Sequence, residues 1–96
     1  MSTYILLMNL SAEGRESIRE KPNRINSHNS RLESMGVKVL AQYATLGQYD
    51  FVSILEAPDE DAIFKAAVNL SGRGTAQVQT LSAKPVNDFV AIVKSR

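Results

Sequence analysis

The order of apolar segments along the chain predicts an α+β fold of the ferredoxin-like type. Segments of strand and helix character follow one another as βαββαβ, and a short helix comes after them. The chain has 96 residues, enough for one compact domain and too few for two, so we expect residues 1–96 to form a single domain. The first and third strands are the most apolar. They should therefore lie in the centre of a four-stranded antiparallel sheet that carries both helices on one face.

The N-terminal third of the chain contains the first strand and the first helical region. Residues 4–10 are apolar on both alternating faces, which is typical of a strand buried on both sides. Ser11 is a favourable N-cap, and Pro22 divides the following helical region into two short helices or kinks a single one. The buried side of this region is marked by residues that recur every seven positions: Ile18, Ile25 and Leu32.

A β-hairpin is predicted next. Residues 37–45 form its first strand and residues 49–56 its second, joined by a short turn that contains Gly47. The first strand alternates imperfectly between apolar and polar residues. One of its sides is expected to carry Val37, Val39, Ala41 and Tyr43.

A helix, a strand and a short C-terminal helix complete the fold. Asp59 is a favourable N-cap, and Glu60 and Asp61 fall in the first turn of the helix, where negative charge is stabilising. Residues 75–83 predict the fourth strand and residues 85–94 the terminal helix. The apolar sides of the two helices are expected to be Ile63, Ala66, Ala67 and Leu70 in the first, and Val86, Phe89, Val90 and Val93 in the second.

Two further polar clusters have simple structural explanations. Gly72-Arg73-Gly74-Thr75 could form a backbone nest that binds an anion, but the end of a helix explains it better. The carboxylates of residues 59–61 are explained as a cap and a first turn, and a metal ion there would need ligands from elsewhere. We therefore expect no metal site.

Composition excludes several classes of function. The formal net charge is +1, which argues against a nucleic-acid or membrane partner that binds through bulk charge. The absence of cysteine excludes disulfides and thiolate chemistry, and no cofactor is implied. The N-terminal residues lack the basic region of a signal peptide, and their apolar run is too short to span a membrane. The expected location is the cytoplasm.

Both faces of the predicted sheet are apolar, which indicates that the chain associates with itself. Two helices can cover only one face of a four-stranded sheet, and a solvated second face would alternate apolar with polar residues. A second copy is the expected cover, giving a homodimer or a higher homo-oligomer. The alternative is a monomer in which the terminal helix folds across that face.

Motifs along nearly the whole chain resemble the GYD domain family. The resemblance includes Gly14, the Pro22-Asn23-Arg24 turn, and the segment Gly47-Gln48-Tyr49-Asp50 followed by Phe51-Val52-Ser53-Ile54-Leu55-Glu56-Ala57-Pro58-Asp59. It implies ferredoxin-like subunits whose sheets pair into a dimeric α/β barrel. Related barrels include cofactor-free monooxygenases, isomerases, haem enzymes and effector-binding modules, so the fold alone does not select a function.

Four residues are candidates for a ligand-binding site: Tyr49, Asp50, Arg24 and His28. Asp50 could serve as a base or ligand acceptor with Tyr49 as a donor; alternatively, Asp50 accepts structural hydrogen bonds and Tyr49 packs at the sheet margin. Arg24 could bind Asp50 or an anionic ligand, or pair with Glu20 at the surface. His28 could be a base or haem ligand, or a satisfied core residue.

The leading functional hypothesis is a homodimeric barrel that binds a small, partly apolar molecule between its sheet and its helices. A cofactor-independent enzyme of monooxygenase or isomerase type, with Asp50 or His28 as base, is the second hypothesis. A structural assembly module without a ligand is the third. An open pocket favours the first two, and a closed, fully packed interior favours the third.

Overall fold

The chain folds into one antiparallel sheet with helices packed against it, as a computed structural model describes for residues 1–72 and 74–95. The strands are β1 Ser2–Leu10, β2 Lys38–Ala44, β3 Phe51–Ala57 and β4 Ala76–Ala83. The helices are α1 Ala12–Glu20, α2 Ile25–Ser34, α3 Glu60–Ser71 and α4 Val86–Lys94, with a 3-10 turn at Pro22–Arg24. The strand order is β2-β3-β1-β4, which confirms the ferredoxin-like prediction. Arg73, part of the possible nest, lies outside the described residues.

The core lies between one face of the sheet and the helices α1 to α3. Alternate residues of β1 and β3 point into it, as the two-residue period of a strand requires. Leu32 of α2 and Leu70 of α3 meet them there, each 1% exposed. The other buried apolar residues of this core are Tyr4, Leu6, Met8, Leu10, Val37, Leu55, Ala57, Ile63, Ala66 and Ala76.

Polar side chains begin two of the helices, and both predicted caps are confirmed. The Ser11 hydroxyl accepts a hydrogen bond from the Gly14 N–H at 3.1 Å, and Asp59 accepts one from the Ala62 N–H at 2.9 Å. Each bond satisfies a backbone donor that the first turn of a helix leaves unpaired. The acidic residues 59–61 therefore have the structural role that their sequence position predicts.

The second strand of the hairpin begins later than predicted. It starts at Phe51 rather than at residue 49. The carbonyl oxygens of the two residues before Phe51 accept hydrogen bonds from Thr45, which follows the first strand of the hairpin. The Thr45 N–H donates to the Asp50 carbonyl oxygen at 2.8 Å, and the Thr45 hydroxyl donates to the Tyr49 carbonyl oxygen. Gly47, at φ 106°, provides the left-handed turn between the strands.

An irregularity in β2 changes which of its residues share a face. The pairing with β3 shifts between Val39 and Ala41, so the expected set of four residues on one side was wrong. Val39 packs against the core, whereas Tyr43, beyond the shift, is exposed. An extra residue in a strand moves every later side chain of that strand to the opposite face of the sheet. The alternation of residue types in the sequence does not show where the extra residue lies.

The side of the sheet away from the core is apolar at its centre; we call it the open face. It is formed by Ile5 and Leu7 of β1, Val52 and Ile54 of β3, Tyr43 of β2 and Leu81 of β4. The terminal helix α4 does not fold across it. None of the residues described in α4 is buried, and Val86 and Phe89 are 73% and 58% exposed.

Candidate functional site

A cavity of about 270 Å³ lies between α1 and α2 at the end of β1, and we call it the α1–α2 cavity. Its walls come from α1, from the 3-10 turn and α2, and from two residues at the sheet. Two of the four predicted site residues, Arg24 and His28, line it. The remaining lining residues are Leu10, Gly14, Ser17, Ile18, Ser27, Arg31 and Thr75.

The turn between α1 and α2 explains why the cavity forms here. Pro22 begins a single 3-10 turn, which ends α1 and starts α2 in a new direction. Arg24, the last residue of that turn, donates through Nη1 to the Ser17 hydroxyl of α1. This bond joins the 3-10 turn to α1, so the basic end of Arg24 is held at the wall of the cavity.

Asp50 lies next to this site but is used structurally. Its carboxylate accepts a hydrogen bond from the Leu10 N–H at 2.8 Å, and its backbone N–H donates to the Met8 carbonyl oxygen at 2.9 Å. The cation beside the carboxylate is Arg15 of α1, at 3.8 Å, rather than Arg24. These contacts are the ones expected if Asp50 has a structural role. They connect the end of β1 to the residue just before β3.

Tyr49 lies on the opposite side of the sheet. Its hydroxyl donates to Gln79 Oε1 at 2.8 Å, and Gln79 pairs with Leu7 on the open face. The structure therefore brings Arg24 and His28 together in one cavity, places Asp50 beside it, and separates Tyr49 from all three. The role of these four residues in binding a ligand stays a prediction.

Several cavity residues were not among the sequence candidates. Arg31 is the most informative, because it follows Arg24 and His28 at positions i+7 and i+3, the spacing that puts residues on one side of a helix. That spacing is visible in the sequence and could have identified it. Ser27 and Thr75 had no such signal, since their place in the cavity depends on how the helices pack.

A polar network lies under α2, where the sequence indicated only an edge strand. Gln42 of β2 exchanges two hydrogen bonds with Asn29 of α2, at 2.9 and 3.0 Å. The same Gln42 amide donates to the hydroxyl of Ser53, a residue of β3 that is 1% exposed. The network joins α2 to two strands, and each of its three side chains has a partner, as burial requires.

The described residues do not assemble a metal centre or a membrane span. In residues 1–72 and 74–95, no three His, Asp or Glu side chains come together where they could hold an ion. Over the same part of the chain, no helix combines the length and the apolarity needed to cross a bilayer.

The structural role of Asp50 makes a prediction about stability. Asp50→Ala should lower the free energy of unfolding by about 1–3 kcal/mol, because the buried Leu10 N–H loses its partner. Asp50→Asn keeps an acceptor oxygen and removes only the exposed pair with Arg15, so about 0–1 kcal/mol is expected. Denaturant unfolding of both variants measures the difference. Equal losses in the two variants would contradict the role assigned to the hydrogen bond.

Comparison with known proteins adds three findings. The family model of the GYD domain matches residues 4–93. The chain is 43% identical over 95 residues to the glutamine synthetase and cystathionine beta-lyase binding protein of Thermus thermophilus, covering 98% of this chain and 100% of the relative. It also resembles two solved structures: TTHA0845 from Thermus thermophilus (TM-score 0.52, 19% identity, 88% and 95% of the two chains) and FFRP-DM1 (TM-score 0.53, 21% identity, 88% and 100%). At these identities the solved structures support the fold.

Proposed function

Because the chain belongs to the GYD domain family, we propose that it is a homodimeric binding protein whose two sheets pack face to face as an α/β barrel. Each subunit holds a small, partly apolar molecule between its sheet and its helices. The dimer also docks onto other proteins, in the way that the Thermus relative is named for doing. A cytoplasmic location is part of this proposal.

The open face carries the proposal. Its centre consists of Ile5 and Leu7 beside Val52 and Ile54, four large aliphatic side chains on the two central strands. An antiparallel sheet that faces water on one side alternates apolar with polar residues, and these strands do not. A second copy of the same face offers the apolar surface that would cover them, because a two-fold interface is self-complementary.

The size of the open face suggests that α4 takes part in the dimer. Four strands of about seven residues give a face of roughly 20 by 23 Å, about 450 Å² in plan. A stable interface buries about 800 Å² on each partner. The exposed apolar residues of α4 could supply much of the remainder by lying on the partner: Val86, Phe89, Val90, Ile92 and Val93.

The α1–α2 cavity supports the small-molecule part of the proposal. Its lining includes the apolar side chains of Leu10 on β1 and Ile18 on α1, together with polar and basic groups. A pocket with an apolar wall and a few polar groups is the usual form of a ligand site. An open cavity of this kind favours binding over a closed assembly module.

Light scattering on the purified protein tests the homodimer. The chain has a mass of 10.5 kDa, so a dimer has twice that mass. We expect the dimeric mass to persist on dilution to micromolar concentrations. A species of 10.5 kDa at all concentrations would overturn the proposal.

Docking to other proteins is assigned to the outer side of α3. Phe64 and Val68 are one helical turn apart there and are 67% and 69% exposed, on the side of the molecule away from the open face. We expect the protein to bind glutamine synthetase or cystathionine beta-lyase from its own organism in surface plasmon resonance, and Phe64→Glu to weaken that binding at least tenfold. Glu13→Ala on α1 is the control, and it should leave this binding unchanged. If the wild-type protein binds neither purified enzyme, the proposed docking to other proteins is contradicted.

A further inference from the structure

Three basic residues line one side of the α1–α2 cavity. Arg24, His28 and Arg31 follow one another at helical spacing, from the 3-10 turn through α2, so their side chains leave the backbone on one side. Each of them is partly buried. A solvated helix surface places its basic groups outward in water, whereas these three converge on a concave space.

Among the residues that the structure describes, the rest of the cavity wall carries no charged group. It consists of Leu10, Gly14, Ser17, Ile18, Ser27 and Thr75. Asp50, the neighbouring carboxylate, is bound to the Leu10 N–H and Arg15 and does not line the cavity. Among the residues that the structure describes, the wall therefore has two guanidinium groups and an imidazole and no carboxylate.

One of the guanidinium groups is already held in place. The hydrogen bond from Arg24 Nη1 to Ser17 positions it across the turn and uses only one of the five N–H donors of an arginine. The planar fork that remains matches the geometry of a carboxylate or a phosphate. Since less side-chain freedom remains to be lost on binding, such an arrangement favours tight recognition.

We infer that the α1–α2 cavity binds a small organic anion. Its carboxylate or phosphate group lies between Arg24 and Arg31, and its apolar part lies against Leu10 and Ile18 of the opposite wall. The inference rests on the small-molecule part of the proposed function and specifies the ligand's charge. A cavity of about 270 Å³ is slightly below the usual range of about 300–1,000 Å³ for ligand pockets, so the anion is of metabolite size.

A matched series of probes tests the charge preference. Butyrate, butan-1-ol and butylamine have the same carbon chain with a negative, a neutral and a positive end, and inorganic phosphate provides the other oxyanion. Titration of the dimeric protein with each probe is followed by amide chemical shifts in two-dimensional NMR. We expect butyrate and phosphate to shift the signals of Ser17, Ser27 and Thr75, and butylamine to leave them unchanged.

Charge-removing substitutions test the residues. Arg24→Gln and Arg31→Gln should each weaken butyrate binding by about tenfold to a hundredfold, the range for loss of one charge-assisted hydrogen bond. Arg19→Gln is the control, because the Arg19 side chain is 80% exposed on α1 and pairs with Glu16. It should leave the affinity unchanged. Thermal unfolding of each variant confirms that it is folded, and the use of two arginines keeps the test valid if one variant unfolds.

Three results of these titrations would overturn the anion inference. Equal binding of butan-1-ol and butyrate would overturn the anion inference while leaving small-molecule binding intact. An equal loss in the Arg19→Gln control would overturn it as well, since the effect would then be one of overall charge. No shift with any probe up to 50 mM, which is about fifty times a dissociation constant of 1 mM, would overturn both the anion inference and small-molecule binding in this cavity. The dimeric mass of the same samples, read by light scattering, tests the homodimer separately.

Discussion

Ile54→Glu is expected to turn the proposed homodimer into a folded monomer of 10.5 kDa. Ile54 lies in the middle of the open face, on a central strand, where it pairs with Ile5 of β1 and Ala41 of β2. In a monomer a glutamate at this position points into water, as the neighbouring Glu56 on the same face already does in part. In the dimer it would be enclosed between two apolar sheets.

The effect should be large because the two-fold symmetry doubles it. Each dimer would bury two carboxylates without partners, and a buried polar group without a partner costs at least about 2 kcal/mol. Two such groups correspond to an increase of roughly a thousandfold in the dissociation constant. Sedimentation equilibrium or light scattering over a range of concentrations measures the change.

Phe64→Glu is the matched control for this prediction. It introduces the same charge in place of a large apolar residue, but on α3, on the other side of the molecule. Its dimeric mass should be that of the wild-type protein. If Ile54→Glu stays dimeric while it unfolds with the wild-type cooperativity, the open face is not the dimer interface and the barrel proposal fails.

Gly14→Ala is the second substitution with a large expected effect, and it should destabilise the protein although alanine is the better helix former. An added Cβ at Gly14 would lie 2.1 Å from the Thr75 carbonyl oxygen and 3.4 Å from Leu10 Cβ. That carbonyl accepts the Ser11 N–H at 3.0 Å, so the contact is with a fixed backbone atom. To make room, α1 must move away from the start of β4.

The expected net loss is about 2 kcal/mol. Overpacking in a close contact costs about 1–3 kcal/mol, and the weakened Ser11 bond adds to this, against a gain of about 1 kcal/mol in helix propensity. In a domain of this size the loss lowers the melting temperature by roughly 10 °C. Differential scanning calorimetry measures it. Glu13→Ala, an exposed change in the same turn, is the control with little effect, and a Gly14→Ala variant as stable as wild type would show that α1 can shift freely.

Local patterns in the sequence were enough to predict most of the fold. Ser11 and Asp59 were predicted as caps because their oxygens reach backbone donors three residues away. Pro22 was predicted to divide the helical region because its ring removes a backbone donor. The central strands were recognised from apolar residues on both faces. Each of these signals acts over a few residues, so each can be read without knowing what else packs nearby.

The candidate site was predictable only in part. Arg24 and His28 share a cavity because helical spacing relates them, and the same spacing would have included Arg31. Tyr49 and Asp50 are adjacent in the sequence, yet they lie on different sides of the sheet. Their separation follows from the two-residue period of an extended chain, in which neighbouring side chains point to opposite faces of the sheet.

Sequence alone determined the order of the elements, their caps and the apolar character of both sheet faces. Tertiary structure decided the bulge in β2, the partner of Asp50 and the walls of the α1–α2 cavity. The physical reason is the distance along the chain over which these bonds form. Asp50 is 40 residues from the Leu10 N–H that it binds, and the Ser11 N–H donates to the carbonyl oxygen of Thr75, which is far from it in the sequence. Such pairs exist only when packing brings distant segments together, whereas a helix cap or a strand alternation is set by neighbours.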